Sequence, residues 1–225
     1  MARPEVRHGF EWVARRGRLD VVVEKTCATS LRVPFVDAVV PEARYIFMPR
    51  DGLDTVGSAM QRRKAPLDIP YLARRARFVP PSDLPDYAGR YLWNRLYRLV
   101  SRQKRLAFRG PRMAHMDRLL AAHPLDEVCA MQWQRGVEHA YDALQAMPPS
   151  RWLEVVYEEF VTDPGRELER VLAFLGLEAD RHAQEAAVRD VHGGSIGKGR
   201  AALDAATVAR LTALVGGSLG RFGDA

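Results

Sequence analysis

The chain has 225 residues, 34 Lys plus Arg against 28 Asp plus Glu, a net charge of +6, 47% apolar residues and 2 Cys. That length carries a sizeable core, and that apolar share excludes a disordered chain. Two cysteines and no Cys/His cluster at zinc spacing exclude a disulfide scaffold or a zinc module, and no window approaches the roughly 20 apolar residues of a membrane span. With no apolar signal core near the charged N-terminus, the expectation is a soluble, reduced, cytoplasmic protein forming one domain over residues 1–225.

In chain order, Val6, Phe10 and Val13 stand at helical spacing before Gly17, which predicts an amphipathic helix over residues 4–16. The Val-rich run Leu19 to Val23 then reads as a strand buried on both faces of a parallel sheet, ending in Glu24-Lys25-Thr26. A helix over 30–40, capped by Thr29 or Ser30 and stopped by Pro41, leads to a second buried strand over 44–48. Strand, helix, strand at this spacing is a βαβ unit. Pro49-Arg50-Asp51-Gly52 turns the chain into a helix over 52–64.

The middle differs in character. Five prolines punctuate residues 65–86, which reads as loop. Leu92, Leu96, Leu99 and Val100 form a stripe with Arg95, Arg98, Arg102 and Arg105 on the other faces, a basic amphipathic helix. Residues 71–118 hold twelve Lys or Arg against Asp83, Asp86 and Asp117, so the chain's excess positive charge is concentrated there. Such a module points to an anionic partner. A long helix over 126–146 follows, then a strand candidate from Trp152 to Tyr157, a helix opened by Asp163-Pro164 and closed by Gly176, a polar segment through Gly197-Lys198-Gly199-Arg200, and a last helix over 204–215. The order predicts an α/β fold with a mainly parallel sheet flanked by helices, where ligands sit beyond the C-terminal strand ends. Lys25, Arg50 and Tyr157 fall at such ends.

The basic candidates each have two open readings. Arg50 and Ser58, eight residues apart, grip a phosphate at a helix start, or Arg50 pairs with Asp51 or Asp54 on the surface while Ser58 only packs. Lys25 neutralises charge on a transferred phosphoryl or sulfuryl group, or it is a solvated turn residue. Gly197 to Arg200 is a flexible loop whose amides approach an anion while Lys198 and Arg200 supply charge, or an ordinary basic glycine loop. The six histidines form no metal or triad pattern, and Cys27 and Cys129 read as ordinary thiols.

Taken together, Glu24-Lys25-Thr26, Arg32-Val33-Pro34-Phe35, Pro41-Glu42-Ala43-Arg44-Tyr45-Ile46-Phe47, and Arg50-Asp51-Gly52 followed by Ser58 resemble the sulfotransferase superfamily that uses 3′-phosphoadenosine 5′-phosphosulfate, PAPS. Gly110-Pro111-Arg112, Trp133, the run Trp152 to Phe160, Thr162-Asp163-Pro164 and Phe174-Leu175-Gly176-Leu177 continue the likeness through most of the chain. The resemblance implies a P-loop-nucleotide-kinase-like sulfotransferase fold and sulfuryl transfer from PAPS, without a metal, to a hydroxyl or amine acceptor, a carbohydrate among the candidates. It implies that Arg50, Ser58, Lys198 and Arg200 hold the donor's 3′-phosphate, that Lys25 stabilises the leaving phosphate and that Tyr157 lies near the adenosine. Residues 65–125 would then form a basic, acceptor-side insertion.

The chain also departs from the family pattern. Gly199 stands where relatives often carry Trp, and Cys27 stands where relatives carry Pro or a catalytic His, so no general base is named. A P-R-S-G-T-like phosphate cradle belongs many tens of residues before the Lys25 position, and only 24 residues precede it here. The expectation is therefore a bacterial-type sulfotransferase without that N-terminal strand and loop, either truncated or nucleotide-binding without catalysis. The alternative is a noncatalytic basic module that binds nucleic acid or an acidic partner through residues 71–118, although no helix-turn-helix or aromatic RNA-binding signature accompanies it. Acceptor identity and oligomeric state are not legible.

Overall fold

The structure, a computed structural model, describes residues 3–64 and 113–223. The chain divides into two compact units, Met1–Lys25 with Arg63–Arg109, and Thr26–Arg62 with Gly110–Ala225. The loop expected over 65–86, the basic helix around residues 90–109 and Gly110-Pro111-Arg112 lie outside the described residues.

In the first unit, helix α1 (Arg3–Gly17) forms where the apolar spacing predicts it. Glu11 sits one turn from both Arg7 (3.3 Å) and Arg15 (3.0 Å), the favourable i, i+4 geometry for exposed ion pairs. The expected strand over Leu19 to Val23 is absent. The chain leaves α1 through Arg18 at φ 50° and runs on without a ladder, leaving Val23 78% exposed. A β-branched run becomes a buried strand only when another strand accepts its N–H and C=O groups, and none among the described residues does. The βαβ unit expected over residues 19–48 is therefore not formed.

The second unit is helix-rich around a small parallel sheet. A 3₁₀ turn over Thr29–Leu31 precedes helix α2 (Val33–Val39). The expected cap at Thr29 or Ser30 is displaced because Pro34, which has no N–H to give to a helix interior, fits only within the first turn, so the helix starts at Val33. Strand β1 (Tyr45–Phe47) follows, then α3 (Gly52–Lys64), α4 (Met116–Ala122) and α5 (Leu125–Gln145). Strand β2 (Trp152–Glu154) leads to α6 (Tyr157–Thr162), α7 (Pro164–Leu175), α8 (Arg181–Val188), α9 (Lys198–Ala201) and α10 (Ala205–Phe222).

Local chemistry sets most of these boundaries. Asp163 caps α7 by accepting from the Arg166 N–H, Pro164 takes the first helical position, and Gly176 closes the helix at φ 68°, as the sequence predicts. Asp180 and Asp204 cap α8 and α10 by accepting from Ala183 N–H (2.8 Å) and Thr207 N–H (2.7 Å). Helix α10 runs past the predicted end at residue 215. The backbone kinks at Val215, and the added turns bury Leu219 and Phe222.

The two strands pair in parallel with Tyr45 opposite Trp152, Ile46 opposite Leu153 and Phe47 opposite Glu154. Above them Phe47, Tyr141, Trp152 and Phe222 form tilted and edge-on ring contacts at 5.3–6.1 Å, which tie β1, β2, α5 and α10 into one core. Among the described residues no single helix is long and apolar enough to cross a membrane.

Candidate functional site

The site grows out of the strand register. Because Phe47 lies opposite Glu154 in a parallel pair, β1 and β2 end level, and the pairing continues beyond them: Val155 N–H donates to Phe47 O (2.9 Å) and Tyr157 N–H to Pro49 O (3.0 Å). Arg50 follows β1, and Tyr157 follows β2, by the same number of residues. The Arg50 guanidinium carbon lies 4.4 Å from the centre of the Tyr157 ring, a cation–π contact between residues 107 apart in sequence.

The backbone at this point is held from two sides. Trp133 Nε1–H, from α5, donates to Arg50 O (3.0 Å), and Asp51 N–H donates to Glu158 Oε1 (3.1 Å). Asp51 caps α3, its Oδ1 accepting from Asp54 N–H at 2.5 Å. Gly52 opens the helix where an added Cβ would stand 2.8 Å from side-chain atoms of Trp133 and Leu219. Only glycine lets α3 start this close to α5 and α10.

Asp54 is the hub. It is 1% exposed, yet its carboxylate is fully occupied: Oδ2 accepts from Gly197 N–H (2.7 Å) and pairs with Arg50 Nη2 (3.3 Å), while Oδ1 accepts from Arg200 N–H (2.8 Å). Burial works to raise this carboxyl, but the N–H groups of Arg200 and Gly197 and the Arg50 guanidinium outweigh it and hold the group below the ordinary aspartate value. Arg50 Nη2 also donates to Ser195 O (3.2 Å), and the hydroxyls of Tyr157 and Ser195 share a hydrogen bond of 2.7 Å. Arg50 Nε is buried without a hydrogen-bond partner.

The contact between α3 and the 197–200 segment is backbone against backbone. A Cβ on Gly57 would stand 1.9 Å from Gly199 O, and a Cβ on Gly199 would stand 2.0 Å from Asp54 O. The departure at position 199 thus has a local reason, because a side chain of any size there would drive the two elements apart. Gly197, at φ 74°, turns the chain into α9. The segment is a short helix and not an open glycine loop, and two of its amides are already taken by Asp54.

The expected site residues fall as follows. Arg50 and Tyr157 are in direct contact, and the segment bearing Lys198 and Arg200 is bound to the same cluster through Asp54, with both side chains exposed. Ser58 follows Gly57 on α3 and is half-buried. Lys25 ends the first segment of the other unit, exposed and not preceded by a strand. Of the two readings of Arg50, its pairing with Asp54 is present, though in a buried setting and not on the surface.

Sequence reasoning missed Asp54 as the hub, and Ser195 altogether. Asp54 carried a signal, since it lies four residues after Arg50 and three after its capping Asp51. Ser195 carried none. Two surface cavities lie elsewhere, along α7 and α8, one of about 410 Å³ lined by Glu169, Leu172, Leu177 and Gln184 among others.

Neither the curated proteins nor the solved structures contain a match to the chain. A family model described as Sulfotransferase family matches residues 94–181, less than half of the chain but including β2 and Tyr157, and supports a sulfotransferase-family domain there.

Proposed function

We propose that the chain transfers a sulfuryl group from PAPS to a hydroxyl or amine acceptor, with carbohydrates among the candidate acceptors, and that the cluster around Arg50 is the seat of the donor's 3′-phosphate. The observation that carries this reading is the convergence of Arg50, Tyr157 and the 195–200 segment on one point beyond the level ends of two parallel strands. The similarity of residues 94–181 to the sulfotransferase family supports it.

In this reading Arg50 meets the 3′-phosphate, with Ser58 adding a hydroxyl and Lys198 and Arg200 adding positive charge from their exposed side chains. Arg50 suits the task because its guanidinium is preset: the Tyr157 ring fixes its plane, and Asp54 and Ser195 O fix one nitrogen. Lys25 would offset the negative charge that gathers on the phosphate as the sulfuryl group leaves it for the acceptor. The acceptor gives up its proton as the new bond forms, and the nucleotide departs as adenosine 3′,5′-bisphosphate.

Titration calorimetry with adenosine 3′,5′-bisphosphate tests the reading. Arg50→Ala is expected to weaken binding by roughly a hundredfold, about 3 kcal/mol. Failure of the wild-type chain to bind the nucleotide overturns the proposal, and tight, salt-steep DNA binding in its place would favour a basic binding module acting through residues 71–118.

A further inference from the structure

A carboxylate buried at the centre of a site meant for an anion needs an explanation. Asp54 is one of the most deeply buried polar side chains among the described residues, and it places a negative charge against the arginine assigned to the phosphate. Placed there without partners it would repel the ligand and carry a large desolvation cost. Its two oxygens are nonetheless satisfied by two backbone N–H groups and one guanidinium nitrogen, so the charge is neutralised internally.

The geometry of those bonds is informative. Gly197 N–H, at the cap of α9, and Arg200 N–H, within it, both point at Asp54 on α3, at 2.7 Å and 2.8 Å from its oxygens. These are the amides that a glycine-rich phosphate loop would turn toward its ligand. Here they face the protein. The contact is tightened by Gly57 and Gly199, whose missing side chains let the two backbones touch. With its amides turned inward, the segment presents outward the side chains of Lys198 and Arg200, both exposed. Arg50 keeps its remaining nitrogens, Nε among them, outside the Asp54 pair.

We propose that Asp54 is the positioning residue of this site: its carboxylate holds the Gly197 and Arg200 amides and the Arg50 guanidinium together, so that segment 197–200 meets a nucleotide phosphate with the side chains of Lys198 and Arg200 and not with these two amides. The proposal deepens the functional reading above and rests on it for the identity of the ligand. Asp54 itself touches no ligand. Its role is to fix the spacing between the cation on α3's approach and the cations on α9.

Amide hydrogen exchange followed by NMR, with adenosine 3′,5′-bisphosphate as the probe, tests it in the full chain. In the wild-type protein both amides are expected to be protected without ligand and to keep that protection, within about twofold, when the nucleotide is added. In Asp54→Asn, exchange at both amides is expected to rise at least tenfold and nucleotide affinity to fall by about tenfold, while the Val155 amide, bonded to Phe47 O in the strand pair, stays protected. A purely structural role would move Val155 as well and leave the two segment amides unremarkable.

Amides that exchange fast in the free protein and slow only when nucleotide binds would overturn the proposal, because they would then belong to the ligand. Unchanged affinity in Asp54→Asn with both amides released would overturn it equally. If the variant does not fold, the wild-type comparison alone decides whether the amides belong to Asp54 or to the nucleotide. Absence of any nucleotide binding by the wild type sinks the functional reading and the ligand half of this proposal, and the exchange data still decide whether Asp54 holds the two amides.

Discussion

Two arginine–carboxylate clusters in the same unit are built in opposite ways. Around Arg50 the hub is a single carboxylate, Asp54, 1% exposed, and the arginine gives it only one nitrogen. Around Arg210, on α10, the hub is the arginine: its Nη2 meets Asp126 (2.6 Å) and its Nη1 meets Glu127 (2.5 Å), both in the first turn of α5, where negative charge also complements the helix end. Glu127 is held low by Arg210 and, further, by His123 at 2.9 Å. The Arg210 guanidinium commits each terminal nitrogen to a separate carboxylate, two negative charges against its one positive charge, so it fastens two helices and has little attraction left for an incoming anion. Arg50 is only partly used, is stacked on a ring, and sits among elements drawn from three distant stretches of sequence. The difference separates a cluster that ties helices from the one proposed as the seat of the phosphate.

The comparison breaks most sharply at the glycine seam. Gly57→Ala would push a methyl against Gly199 O, and the expected loss of stability is about 3 kcal/mol, read by urea denaturation. A loss below about 1 kcal/mol would mean that α9 can step away from α3 freely. Next comes acid. Because the folded-state Asp54 carboxyl lies below the ordinary aspartate value, its contribution is complete above that value and is lost as the pH falls through the folded one. As the pH falls below about 4, wild-type stability is expected to drop by more than that of Asp54→Asn, as followed by thermal midpoints. Parallel curves would remove Asp54 from the explanation. The smallest effect belongs to the exposed cluster. Arg210→Met keeps the aliphatic stem and loses the ion pairs, and the same urea denaturation is expected to show the smallest shift of the three.

Much of this was legible in the sequence where the determinant is local. Asp163-Pro164 and Gly176 mark the ends of α7 through capping and positive φ, which need no distant partner. Tyr45 to Phe47 reads as a strand and is one. Leu19 to Val23 is also rich in a strand-favouring residue, Val, and is not, because a ladder partner decides the matter and composition does not name one. The short helices α4, α6, α8 and α9 escaped because a turn or two carries too little periodicity to recognise. Of the site, Arg50, Tyr157, Lys198 and Arg200 were legible through the resemblance to sulfotransferases. Their meeting point was not, since it depends on which residues of β1 and β2 pair and on a carboxylate that works across 143 residues to Gly197.

The level strand ends have a consequence for how this chain can vary. Arg50 reaches Tyr157 only because the linkers after β1 and β2 are equally long and stay in register to Tyr157 N–H on Pro49 O. One residue inserted into either linker alone would carry the guanidinium off the ring, whereas equal insertions in both would advance the two together. Length changes at residues 48–49 and 155–156 therefore keep this stacking only as a matched pair, and the two linkers act as a single geometric unit though a hundred residues of chain lie between them.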